Sequence, residues 1–502
     1  MADTKPSTKP EADAIPEADA IPEADAMPEG TATPAGSITT LAESIAVDTA
    51  AGTWRFSPPC GPVIGDVTDE VVVARAIPYA QAQRFARPEP VAPWTTPHHS
   101  TTPSPKAPQV PSPYTDKTLG GRSDRVGSDL PESEQCLNLT VTRPATYPTP
   151  ATSPTQPLPV VVWIHGGAYV IGAGDDPHFD PAALVGEQQV VFVAINFRLG
   201  ILGYLGDGSD ARPANLGLLD QLSALRWVGE NIAAFGGDPD SVTVIGQSAG
   251  GDAVAHLMAT PNPHELFRRA IIQSAPLGLR HRRRRLVSWM FDRTADITAA
   301  TKISSILLTQ TEISRKALRF GLKAAMAFGT QYGLPPLPEE SAITTWWERA
   351  APHIDLLIGH NRDETHYFFS THPSNPVLKA PVVDWCARRV ISPIISHVVY
   401  ARDDSAFAGR HARAGGRTYH YRIDWAAPGN KFGSCHTIEL ALLFGTREAW
   451  EGAWILDGAS REDVERDGAA LRELWGRFIR GEDLGDREPT SLTPIIGYRR
   501  VR

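Results

Sequence analysis

The chain has 502 residues, of which 42% are hydrophobic and 21% charged, an ordinary globular composition that is long enough for a large core. Its formal net charge of −9 sits mostly at one end, because residues 1–30 carry eight acids and two lysines and leave −3 for the other 472. A body this close to neutral argues against a nucleic-acid partner, and a mean hydropathy of −0.21, with no run of about 18 uncharged apolar residues, argues against a membrane span.

Four cysteines, Cys60, Cys136, Cys386 and Cys435, are too few for a disulfide scaffold. None forms a C-x-x-C pair, so no zinc site is expected. The N-terminus lacks the basic and apolar regions of a signal peptide. The expectation is a cytoplasmic protein with reduced thiols.

Residues 11–28 repeat a six-residue unit, EADAIP-EADAIP-EADAMP. Each proline interrupts helix and the apolar content is too low for a core. Residues 1–40 are expected to be a disordered acidic tail, a passive linker or a solubility or docking segment. A single domain is expected over residues 41–502. Within it, residues 97–132 and 144–159 are rich in Pro, Ser, Thr and Gly, as long surface excursions are.

Between these stretches lie short apolar runs suited to buried parallel strands: Leu158–Ile164, Val190–Ile195, Val242–Ile245, Ile354–Ile358 and Thr418–Ile423. Residues 215–235 place Leu218, Leu219, Leu222, Leu225, Val228 and Ile232 at near-helical spacing, and Gly236-Gly237 stops them. Strands alternating with helices predict an α/β fold, a mostly parallel sheet covered on both faces. Working residues in such sheets sit at the carboxyl ends of strands.

"VTVIGQSAGG" (242–251) tests that rule. Gly-x-Ser-x-Gly alone is weak, since roughly 0.2 matches occur by chance in a chain this long. Here a strand precedes Ser248, and Ala249, Ala253, Val254, Leu257 and Met258 form an apolar helical face after it, ended by Pro261 and Pro263. A strand that reverses into a helix pushes the serine hydroxyl out at the top of the sheet. The free N–H groups at that helix start favour a developing negative charge. A serine hydroxyl is a weak nucleophile that needs a base, usually a histidine held by a carboxylate. "WIHGGAYVIG" (163–172) follows the run Leu158–Ile164. By itself His-Gly-Gly is equally a tight loop; beside the serine elbow it reads as a source of oxyanion donors.

These stretches, with "ARAIPYA" (74–80), "SEQCLNLTV" (133–141), "NFRLGILGYL" (196–205), "NLGLLDQLSALRWVGENIAAFGGDPDSVTVIGQSAGG" (215–251), "LLIGHNRDET" (356–365) and "GSCHTIELALLFG" (433–445), resemble the type-B carboxylesterases. That family has the α/β-hydrolase fold and includes bacterial para-nitrobenzyl esterases and cholinesterases. The resemblance runs in register from about Cys60 to Phe444. It implies a triad of Ser248 as nucleophile, Glu364 as acid and His436 as base, in the α/β-hydrolase order. It also implies an oxyanion hole from the N–H groups of Gly167, Ala168 and Ala249. Two structural ion pairs carry over, Arg75 with Glu134 and Arg198 with Asp220. By residue type and spacing alone Glu364 reads first as a solvated loop acid beside Asp363, and His436 as one of fifteen histidines, most of them expected at the surface.

The chain departs from the family pattern at three places. Ala76 replaces a usual glycine. Gln247 replaces the glutamate before the nucleophile, which argues against a cationic substrate. Ala107 replaces a usual cysteine and leaves Cys136 without its partner. Cys435 reads as a small packing residue. "LRHRRRRLVSW" (279–289) holds five arginines, expected to be a solvated helix face or else a basic rim that attracts an acidic ligand. Residues 290–350 resemble the family only faintly and are expected to cover the site.

The expected function is therefore hydrolysis of a small-molecule carboxylic ester through an acyl-enzyme, with no metal or organic cofactor. Acyl transfer, or cleavage of a lactone, thioester or amide, would use the same triad. A non-catalytic binding protein on the same fold is a remoter alternative.

Overall fold

The computed structural model describes residues 47–48, 52–111, 119, 130–146, 156–369, 385–446, 448–488, 492 and 494–502. The expected acidic tail, residues 1–40, lies outside them.

Among the described residues eleven strands build the main sheet: β1 (Thr53–Phe56), β2 (Val63–Val67), β3 (Val71–Pro78), β4 (Asn138–Pro144), β5 (Leu158–Ile164), β6 (Val191–Ile195), β7 (Gly237–Gln247), β8 (Arg269–Gln273), β9 (Asp355–Asn361), β10 (Thr418–Ile423) and β11 (Ile496–Val501). Their spatial order is β1-β2-β3-β4-β6-β5-β7-β8-β9-β10-β11. Two short pairings, at Val47–Asp48 and His98–His99, extend it.

The six strands from β6 to β10 run parallel. Strands β1 to β4 form an antiparallel wing, and β11 closes the other edge antiparallel. All five expected strands form, but the wing was not legible as strands. Thr53–Phe56 and Asn138–Pro144 interleave polar with apolar residues, and Val63–Val67 and Val71–Pro78 are interrupted by Asp66 and Arg75, so the wing lacks the unbroken apolar runs of the centre.

The parallel strands are apolar throughout because both faces are covered. Val160, Val162 and Ile164 of β5 face one core, beside the helices Leu216–Asn231 and Ala249–Leu257. Val161 and Trp163 face the other, beside the helices Ala182–Gln188, Ile438–Leu443 and Arg461–Ile479. Alternate residues of one strand thus feed opposite cores, which follows from the two-residue period of a strand. The helix expected over 215–235 is α-helical to Asn231 and closes with a tighter turn, Ile232–Phe235, capped by left-handed Gly236.

Candidate active site

The carboxyl edge of the parallel strands collects every residue expected at the site. Strand β5 ends at Ile164 and runs into His165-Gly166-Gly167, β7 ends at Gln247 beside Ser248, and β9 ends at Asn361, three residues before Glu364. His436 lies on the connection after β10.

Ser248 occupies an abrupt turn, with φ 56° and ψ −121°. A non-glycine residue there costs on the order of 1–3 kcal/mol, so its surroundings must hold it. Its N–H donates to Gln273 O at 2.9 Å, and its carbonyl accepts from Asp252 N–H at 2.9 Å. The flanking glycines are a steric need. A Cβ on Gly246 would lie 2.3 Å from Gly250 O, and one on Gly250 would lie 2.0 Å from Ile164 O. Ser248 is partly exposed in an otherwise buried stretch.

Glu364 is fully buried. Its Oε1 accepts the Asn361 N–H at 2.8 Å and its Oε2 lies 2.5 Å from His436 Nδ1. That contact puts the proton on Nδ1 and leaves the lone pair of the neutral ring on Nε2. Nε2 faces the serine elbow: the Gln247 side-chain amide donates to it at 3.4 Å. Three aromatic rings surround the imidazole, Tyr367, Phe368 and Tyr400, with centroids 6.2, 5.4 and 5.6 Å away. Asp363 instead takes the Ser434 N–H and Arg362.

The His-Gly-Gly loop packs onto the elbow. A Cβ placed on Gly166 would stand 3.2 Å from Ser248 Cβ. Gly166, Gly167 and Ala168 are partly exposed on this side. Ala249 begins the helix Ala249–Leu257, so its N–H is one of the groups that have no partner within the helix.

The expected ion pairs divide. Arg198 and Asp220 meet in a buried bidentate contact, Nε–Oδ2 2.8 Å and NH2–Oδ1 2.6 Å, and Arg198 also donates to Ala86 O at 2.6 Å. Arg75 and Glu134 do not pair. Glu134 takes Arg84, with Nε–Oε2 at 2.7 Å and a second contact from NH2. Arg75 takes Asp66 at 3.4 Å on the surface. The reason lies in β3, whose register shifts between Ala74 and Ile77 at left-handed Ala76 (φ 55°). Asp66 opposes Val73 across β2 and β3, so it is the diagonal neighbour of Arg75.

The arginine-rich stretch is not a solvated face throughout. Arg282, Arg284 and Arg285 are exposed, but Arg280 and Arg283 are buried. Arg283 donates to Met326 O at 2.7 Å and to Ala327 O. Arg280 reaches Asp252, one helical turn past Ser248, at 2.9 Å.

Sequence reasoning missed several buried polar residues beside the site. Glu439 is fully buried, accepts from Asn361 Nδ2, and takes the Ser274 hydroxyl at 3.4 Å. Burial, reinforced by Glu364, pushes its carboxyl up to about 7. Asp252 was also missed, although an acid amid the small and apolar residues that open AGGDAVAHL was a readable signal, since a buried carboxylate demands partners.

Parallel strands that present their chemistry at the carboxyl edge, with helices on both faces and a serine at a strand-to-helix turn, make this an α/β-hydrolase. The chain belongs to the carboxylesterase family, which it matches over residues 57–391, and its class of activity is carboxylic ester hydrolysis. It is 35% identical over 452 residues to the probable N-octanoylanthranilate hydrolase AqdA2 of Rhodococcus erythropolis, covering 88% of this chain and 94% of that protein. It is 34% identical over 459 residues to the para-nitrobenzyl esterase of Bacillus subtilis strain 168, covering 84% and 88%. The solved structure of a thermophilic PNB esterase superposes with a TM-score of 0.70 at 30% identity, covering 85% of this chain and 90% of that one. Among the described residues no helix is long and apolar enough to cross a membrane.

Proposed function

We propose that Ser248, His436 and Glu364 form the catalytic triad of this esterase. The observation that carries the reading is the 2.5 Å contact of Glu364 with His436 Nδ1, which aims Nε2 at the elbow. His436 takes the Ser248 hydroxyl proton as Oγ attacks the ester carbonyl. Glu364 orients the ring and stabilises the imidazolium. The N–H groups of Gly167, Ala168 and Ala249 bind the oxyanion; losing one such donor costs about 3 kcal/mol in comparable sites. His436 then protonates the departing alcohol, and water releases the acid by the same steps in reverse.

The substrate is a neutral or acidic ester rather than a cationic one, because Gln247 is uncharged and stands beside His436. A second reading, cleavage of an N-acylated aromatic amine, is favoured by the relative named as a probable N-octanoylanthranilate hydrolase. The four cysteines are free, which supports a reducing, cytoplasmic setting.

The test is turnover of short- and medium-chain p-nitrophenyl esters, and of N-octanoylanthranilate, by the parent and by Ser248→Ala. Activity lost in the variant supports the triad. Ester turnover that survives Ser248→Ala overturns it.

A further inference from the structure

The proposed oxyanion hole has two halves on different elements. Gly167 and Ala168 belong to the loop after β5, and Ala249 to the helix after Ser248. Backbone donors stabilise an oxyanion only when preorganised at about 2.7–3.1 Å from it, so something must fix one half against the other.

The loop is a strained element. Ala168 (φ 53°) and Tyr169 (φ 63°) are consecutive left-handed non-glycine residues, each costing on the order of 1–3 kcal/mol unless its surroundings impose it. Backbone bonds hold part of it: Tyr169 O accepts the Gly200 N–H at 2.7 Å, and Gly167 O accepts from Val170 and Ile171. The Tyr169 ring packs on Tyr204 with centroids 4.3 Å apart.

The remaining hold crosses to the other half of the hole. The Tyr169 hydroxyl donates to Asp252 Oδ2 at 2.6 Å. Asp252 sits one turn into the nucleophile's helix, and its own N–H donates to Ser248 O. Both residues are buried. On the far side Asp252 Oδ1 lies 2.9 Å from Arg280 Nε, an ion pair outside hydrogen-bond alignment. Arg280 is buried too, and Thr330 Oγ1 accepts from its NH2. Burial pushes the Tyr169 hydroxyl well above its ordinary range and His256, beside Asp252, down to about 4. The tyrosine therefore stays a donor at neutral pH, and the histidine brings no charge.

We propose that Tyr169, Asp252 and Arg280 are positioning residues, a buried strut that sets the spacing between the loop donors Gly167 and Ala168 and the elbow donor Ala249. The inference rests on the triad and oxyanion reading above. Its consequence is selective. The strut matters where negative charge develops on the carbonyl oxygen, and much less where the neutral substrate binds. Loss of the Tyr169–Asp252 bond should thus lower kcat while KM stays nearly constant.

The test uses Tyr169→Phe, which removes one hydroxyl and keeps the ring. Its kinetics are measured on p-nitrophenyl butyrate. Its inhibition is measured with an aryl trifluoromethyl ketone and with the corresponding methyl ether. In the ketone adduct Ser248 Oγ bonds to the carbonyl carbon, the C=O π pair moves to oxygen, and the serine proton passes to His436 Nε2. The ether occupies the site with no oxyanion. The expected result is a fall in kcat of about 10- to 100-fold, below the roughly 10²- to 10³-fold loss of a whole donor. KM should change less than about twofold, ketone affinity should weaken in step with kcat, and ether affinity should hold.

Tyr169→Phe should cost much less in an Asp252→Ala background than in the parent, because that background has already lost the acceptor of the Tyr169 hydroxyl along with the partner of Arg280. Where Tyr169→Phe does not fold, Thr330→Val, which frees only Arg280, should show the same split at a few-fold scale. Unchanged kcat and ketone affinity in a folded variant, or equal losses for ketone and ether, would overturn the strut. Ser248→Ala separates the two levels. If it remains active the underlying triad reading fails; if it is dead while Tyr169→Phe is unimpaired, only the strut fails.

Discussion

Glu364, and not its neighbour Asp363, holds His436: its Oε2 lies 2.5 Å from Nδ1, while Asp363 turns back to the Ser434 N–H at 3.0 Å. The two acids are adjacent in sequence yet differ in surroundings, one fully buried and the other partly exposed. Glu364→Gln, which spoils the tautomer and keeps the shape, should lower kcat by about 10⁴-fold. Asp363→Asn should lower it less than about tenfold, because Asp363 braces a loop without touching the imidazole. Steady-state kinetics on a p-nitrophenyl ester checks both, and a larger loss at Asp363 would reverse the assignment.

Gln247 stands where the family's glutamate is usual, with its amide 3.4 Å from His436 Nε2. A carboxylate at that position favours the imidazolium, and the general base must be neutral to accept the serine proton. Gln247→Glu should therefore move the acid limb of the kcat/KM profile to higher pH. An unmoved limb would mean that residue 247 does not feel the base.

The buried pair Arg198–Asp220 and the surface pair Arg75–Asp66 should separate in stability. Side-chain exposure is 6% and 0% in the first, 33% and 40% in the second. Removing one partner of a buried pair strands a charge, so Asp220→Ala should cost about 3–5 kcal/mol. Arg75→Ala should cost about 0–1 kcal/mol. Urea unfolding of the two variants measures the difference, and similar losses would contradict it.

Glu439 gives a pH signature. Its carboxyl is raised from 4.5 to about 7, first by burial and then by Glu364. Between those values the folded chain keeps a proton that the unfolded chain has released. Its contribution therefore turns against folding as pH rises through that window. Glu439→Gln should gain stability relative to the parent as pH rises from about 4.5 to 7. A stability difference that is flat with pH would mean the carboxyl is not raised.

How much of this was legible follows from what a sequence records. The central strands were readable because both faces of β5 and β6 are covered, which leaves unbroken apolar runs. Ser248, Glu364 and His436 were readable only through the motifs around them. They lie 116 and 72 residues apart in turn, and only the parallel crossovers bring them to one edge. The partner of Arg75 was misread because the shift at left-handed Ala76 is a backbone event that residue types do not encode. The burial of Arg280 and Arg283 was hidden for the opposite reason. Five arginines in one short stretch look like solvent-facing charge, and only the fold turns two of them inward, one onto Asp252 and one onto backbone carbonyls.

The central claim is that the hydroxyl of Ser248 is the group that becomes acylated. The direct measurement is intact-mass and peptide-mass analysis of the protein after treatment with a p-nitrophenyl alkylphosphonate, which traps an activated serine. One adduct per chain should form, on the peptide that contains Ser248, with p-nitrophenol released in equal amount. It should be absent from His436→Ala and Ser248→Ala. An adduct on another residue, or undiminished ester turnover by a fully labelled Ser248, would contradict the account.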